Sequence, residues 1–136
     1  MSQAVLQVKT KLDDLNLVLD WFAQFDQPPL PHGIWLECQL ALAEAFTNAV
    51  RHAHHNRDPQ TPIEIQVGIQ DHSLEICVWD QGDPFDLMDM VALVKESPHH
   101  DQEGGRGLFL LKRIASQLSY ERDADGRNCL RLLKRF

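Results

Sequence analysis

The chain has 136 residues, 43% of them hydrophobic, enough to bury one core without help from disulfides or a structural metal. Its three cysteines, Cys38, Cys77 and Cys129, stand far apart in sequence and in no CxxC pair, which argues against a disulfide framework or a zinc site, and no apolar run approaches the roughly 18 residues that cross a bilayer. The net charge of −7 is unevenly spread, with 5 basic and 17 acidic side chains in residues 1–105 against 8 basic and 3 acidic in residues 106–136.

The start lacks the charged-then-apolar pattern of a signal peptide, so a single domain over residues 1–136, with no membrane contact and a cytoplasmic location, is expected. Alternation in "AVLQVK" predicts a first strand near residues 4–9, and Thr10 with Asp13 resembles a capping box opening a helix to about Phe25. Leu12, Leu15, Val18, Leu19 and Phe22 form the apolar face of that helix. The three prolines of "QPPLPHG" make residues 27–33 a loop. A second helix is predicted from about Ile34 to His52, with Leu36, Leu40, Ala43, Phe46 and Val50 as its core stripe.

"IEIQVGIQD" and "SLEICVWD" alternate apolar and polar around Asp71-His72 and read as an antiparallel hairpin. Residues 81–105 are mostly loop, with one short helical patch, "LMDMVALVK", and are long enough to act as a lid. A last helix from about Gly107 carries Leu108, Leu111, Ile114, Ala115 and Leu118 inward, and strands near 118–122 and 127–134 flank the turn "DADG". Arg122, Arg127, Arg131, Lys134 and Arg135 lie there without aromatic stacking platforms, which favours a solvated strand face over direct nucleic-acid binding. The order predicts an α+β fold, a two-layer sandwich with helices on one face of a mainly antiparallel mixed sheet.

Three short stretches carry chemistry. In "EAFTNAVRHAHH", Glu44, Asn48 and His52 follow at intervals of four and make a polar ridge that cannot point wholly into the core; a solvated helix face is the plain alternative. In "DQGDPFD", Asp80 ends a strand and Gly82 follows, so a flat ligand can lie on backbone while the acceptor-only carboxylate meets an exocyclic amine such as adenine's; a common turn is the alternative. In "GGRGLFLLKRIA", Gly104, Gly105 and Gly107 precede an amphipathic helix whose free N–H groups suit phosphate oxygens, or simply form a hinge. The histidines at 52, 54, 55, 99 and 100 read as solvated imidazoles rather than metal ligands.

Together "EAFTNAVRHA", "DQGDPFD" and "GGRGLFLL" resemble the N box and the two glycine boxes of the Bergerat-type, histidine-kinase-like ATP-binding fold. Among its members the sequence is similar to the anti-sigma-factor serine/threonine kinases, and the resemblance covers nearly the whole chain. It implies ATP and Mg²⁺ as ligands, an anti-anti-sigma partner, a possible sigma-factor target and a homodimer, for which the edge of the first strand is one surface. It implies that Asn48 holds Mg²⁺, Glu44 polarises the acceptor hydroxyl, Asp80 and Gly82 receive adenine, and Gly104, Gly105, Gly107 and Leu108 line the phosphates. Arg106 resembles the arginine that meets the terminal phosphate or partner serine, and His52 matches a polar position of the N box. Two alternatives remain: a nucleotide-gated binding module without turnover, and a stand-alone histidine-kinase catalytic domain, which is expected to need a phosphoacceptor helix ahead of it.

Overall fold

A computed structural model describes residues 2–53, 57–82 and 105–136, with backbone alone at residues 2, 52, 53 and 105–108. Strands β1 (Ser2–Lys9), β2 (Pro62–Gln70), β3 (Ser73–Asp80), β4 (Gln117–Arg122) and β5 (Asn128–Arg135) form one sheet in the order β1-β2-β3-β5-β4. All pairings among the described strands are antiparallel, so no parallel pair makes the sheet mixed, and β1 lies at an edge as expected. The β2–β3 connection turns through Asp71 and His72 at φ 49° and 63°, the left-handed pair that matches the twist of a two-residue hairpin.

Helices α1 (Leu15–Phe22), α2 (His32–Asn48) and α3 (Gly105–Ile114) cover one face of this sheet. Alternation sends Ile63, Ile65 and Val67, Leu74, Ile76 and Val78, and Leu130 and Leu132 toward the helices, where Phe22, Leu42, Phe46 and Leu111 meet them. Phe22 and Trp35 stack with centroids 5.6 Å apart, and the Trp35 indole donates to the Phe22 carbonyl at 3.1 Å, fixing α1 against α2. No described helix is long and apolar enough to cross a membrane.

Two expectations are corrected. The first helix opens without the Thr10–Asp13 capping box: Leu12–Asp14 is a 3₁₀ turn, Thr10 is buried, and the Lys9 N–H donates to Asp14 Oδ2 at 3.0 Å instead. The α-helix ends at Phe22, and a further 3₁₀ turn carries the chain to Phe25. On α2 the expected stripe holds only toward its C-terminal end, where Phe46 is fully buried and Val50 packs against the core; Leu36 and Leu40 are 47% and 49% exposed, while Trp35, Cys38, Ala41, Leu42, Ala45 and Ala49 are buried. Both sets recur at three and four residues, so periodicity does not separate them. The sheet, α1 and α3 all pack on α2, and its small alanines permit their close approach.

The basic end is paired with acids, as a solvated strand face allows. Arg127 lies 4.5 Å over the Trp79 ring and within 3.7 Å of Glu64 and Asp123, Arg131 is 3.7 Å from Glu75, and Lys134 is 3.2 Å from Glu37. Residues 83–104 of the expected lid, with its helical patch, lie outside the described residues.

Candidate functional site

Asp80 is the last residue of β3 and belongs to the inward set, so strand alternation delivers a carboxylate to the apolar face at the strand's end. It is only 3% exposed. Oδ1 accepts from the Gly82 N–H at 3.0 Å and from Asn128 Nδ2 at 2.8 Å, and Oδ2 accepts from the Tyr120 hydroxyl at 3.3 Å. Asn128 faces Asp80 in the β3–β5 register and is fully buried, and its Nδ2 also donates to the Gly82 carbonyl at 2.9 Å.

This network satisfies a buried charge while leaving it chemically useful. A carboxylate offers about four lone-pair directions. Three are occupied by the described residues, which leaves Oδ2 able to accept one more hydrogen bond. Burial, and then the adjoining Asp80 charge, push the Tyr120 phenol above its ordinary range, so it remains a donor at neutral pH. Asn128 and Tyr120 were not singled out by the sequence, since nothing local to either strand shows that they meet Asp80.

Asn48, the last residue of α2, is 6% exposed, and its Nδ2 has no hydrogen-bond partner among the described residues. An unpartnered buried amide is costly, at about 1–3 kcal/mol. Its chemistry suits a ligand with both a cation for Oδ1 and an acceptor oxygen for Nδ2. Glu44, one turn earlier, is half-buried, so these two members of the ridge do not lie on a fully solvated face. After Asn48 the helix widens into a π turn over Ala49–Ala53, which packs against β3.

The second glycine stretch begins α3: Gly105 is its first residue and Arg106, Gly107 and Leu108 lie in the first turn, where N–H groups lack intrahelical partners. Gly104 lies outside the described residues, as do the side chains of Arg106, Leu108 and His52. α3 packs on α2, and β3 meets both α2 and its π turn, so the three stretches meet through contacting elements. Among the described residues no group of three or more His, Cys, Asp or Glu side chains could hold a metal.

The family model described as "Histidine kinase-like ATPase domain" matches residues 8–134. The chain is 37% identical over 93 residues to a Serine-protein kinase RsbW of Bacillus licheniformis, covering 65% of this chain and 58% of that one. It is 36% identical over 87 residues to the Bacillus subtilis protein of the same name, covering 60% and 54%. It thus spans a little over half the length of these curated relatives. Among solved structures, the RsbU and RsbW domains of a Mycobacterium tuberculosis protein superpose with a TM-score of 0.69 at 14% identity, covering 99% of this chain and 32% of that one. A histidine kinase domain from an Erythrobacter litoralis blue-light activated kinase gives 0.57 at 15% identity, covering 94% and 61%. These two share the fold.

Proposed function

The chain belongs to the histidine kinase-like ATPase domain family, and from that premise we propose that residues 1–136 form one nucleotide-binding domain that transfers the γ-phosphate of ATP to a serine or threonine of a small anti-anti-sigma-type protein. In this reading the chain is a cytoplasmic anti-sigma factor and homodimer whose second partner is a sigma factor. Similarity to serine-protein kinases supports the choice of acceptor. The observation that carries nucleotide binding is the Asp80 cradle, a buried carboxylate held by three donors with acceptor capacity left over.

Each residue then has a physical task. Asp80 accepts from adenine's exocyclic amine, and Gly82 lets the base approach the backbone. The N–H groups at Gly105 and Gly107, with Gly104 and Leu108, bind phosphate oxygens at the start of α3. Asn48 would hold Mg²⁺, which when bound neutralises charge on the phosphates. Glu44 orients the acceptor hydroxyl and takes its proton, and Arg106 stabilises charge on the transferred group. His52 borders the phosphate side. Once phosphorylated, the partner carries about −1.5 to −2 charge beside ADP, and repulsion ends the association.

Calorimetry with ATP, GTP and Mg²⁺ tests the binding step. ATP should be preferred, because guanine presents an acceptor oxygen to Asp80. Asp80→Ala should weaken ATP binding by about 10- to 150-fold, the equivalent of about 1.5–3 kcal/mol; unchanged affinity refutes the role. Radiolabelled ATP with the co-purifying small partner tests transfer, and label on histidine, or none, refutes a serine/threonine kinase.

A further inference from the structure

The sole tyrosine of the chain, Tyr120, stands beside the oxygen of Asp80 that keeps acceptor capacity. It faces Leu130 in the β4–β5 register, and Leu130 in turn faces Val78. Its half-buried ring therefore lies on the helix side of the sheet, and its hydroxyl reaches across β5 to Asp80 Oδ2.

The donors around Asp80 are not equivalent. Asn128 Nδ2 donates to Oδ1 at 2.8 Å and to the Gly82 carbonyl at 2.9 Å, which uses both amide hydrogens, and the Gly82 N–H is committed to Oδ1 at 3.0 Å. The Tyr120 contact is the longest of the set, at 3.3 Å, well beyond the usual O–H···O distance. A hydroxyl hydrogen also turns about its C–O bond. Tyr120 is thus the donor most easily redirected to a ligand.

We propose that Tyr120 is a specificity-determining residue of the nucleotide site: its hydroxyl donates to ring nitrogen N1 of adenine while Asp80 Oδ2 accepts from the neighbouring exocyclic amine. This rests on the nucleotide-binding function proposed above. Adenine presents a donor, its amine, next to an acceptor, N1. The protein presents an acceptor-only carboxylate next to a hydroxyl donor. Burial, and then the adjoining Asp80 charge, hold the phenol protonated at neutral pH, so the hydrogen that N1 requires is present. On binding, the amine takes the place at Oδ2 that the hydroxyl gives up. The buried charge keeps three donors, and N1 gains one of its own instead of being desolvated without a partner. Guanine and hypoxanthine reverse both positions, setting a carbonyl oxygen against Asp80 and an N–H against the hydroxyl. The carboxylate alone reads one atom of the base; the pair reads two adjacent ones.

Calorimetry on the whole chain compares ATP with 1-deaza-ATP, in which a C–H group replaces N1 and the amine is retained. The parent should bind 1-deaza-ATP about 2- to 13-fold more weakly than ATP, the equivalent of one neutral hydrogen bond. Tyr120→Phe should weaken ATP by a similar factor and bind the two nucleotides equally. A tyrosine that only braces Asp80 would weaken both together and leave their ratio as in the parent, an outcome that overturns the proposal. Any unfolded fraction of the variant lowers both signals alike and leaves the ratio intact. The single tyrosine gives a second measurement without substitution: with isotope-labelled Cζ, its one NMR signal should shift on adding ATP and move less with 1-deaza-ATP, and equal shifts overturn the proposal. A parent that binds both nucleotides equally well refutes the role of Tyr120 and leaves the function proposed above standing. A parent that binds neither refutes both.

Discussion

Asn128→Ala removes an amide that donates to Asp80 Oδ1 at 2.8 Å and to the Gly82 carbonyl at 2.9 Å, at a position closed to solvent. The first bond is charge-assisted and contributes about 1.5–3 kcal/mol; the second joins neutral groups and contributes about 0.5–1.5 kcal/mol. Asp80 is itself buried, so water does not replace the lost donor, and the expected loss of stability is about 2–4.5 kcal/mol. Asn128→Asp keeps the shape but turns an acceptor toward Asp80. Two carboxylates so close cannot both ionise, and one pKa rises above its unfolded value of about 3.9. The folded protein then holds a proton that the unfolded chain has released, so stability falls as pH rises through the window between the two values. The Asp variant should be the less stable of the two near pH 7 and regain ground near pH 5. Urea unfolding followed by circular dichroism at both pH values measures this. An Ala variant within about 0.5 kcal/mol of the parent, or an Asp deficit independent of pH, refutes the reasoning.

Tyr120→Phe should cost about 1 kcal/mol at neutral pH. Because the folded phenol's pKa lies above its ordinary 10.0, the parent's extra stability is present below that pH and is lost as pH rises above it, so the parent-to-variant difference should shrink in alkaline melts. Leu42→Ala, fully buried on α2, should cost about 2–5 kcal/mol, and Leu40→Ala, half-exposed on the opposite face, about 0.5 kcal/mol or less; equal costs in denaturant titrations would contradict the placement of the core. Glu44→Gln should leave ATP affinity unchanged by calorimetry and lower phosphoryl transfer by about 10²- to 10⁴-fold, and full turnover would make the glutamate an ordinary helix residue.

The sequence by itself determined the elements and their order, because a strand's alternation, a helix's three-to-four spacing and a two-residue turn at Asp71-His72 are local properties of the chain. The resemblance of its three short motifs to the boxes of the histidine-kinase-like fold, rather than any one of them alone, singled out Glu44, Asn48, Asp80 and the glycines before "LFLL" as a group. Tertiary structure alone decided which side of α2 is buried. Leu36 and Leu40 satisfy the same periodicity as Trp35, Cys38 and Leu42, and only the packing of the sheet, α1 and α3 selects between them. It also decided what surrounds Asp80, because Tyr120 and Asn128 lie 40 and 48 residues away and reach it through strand register. Long-range pairing fixes neighbours that no local pattern encodes, since a shift of one residue would turn each of these side chains to the other face of the sheet.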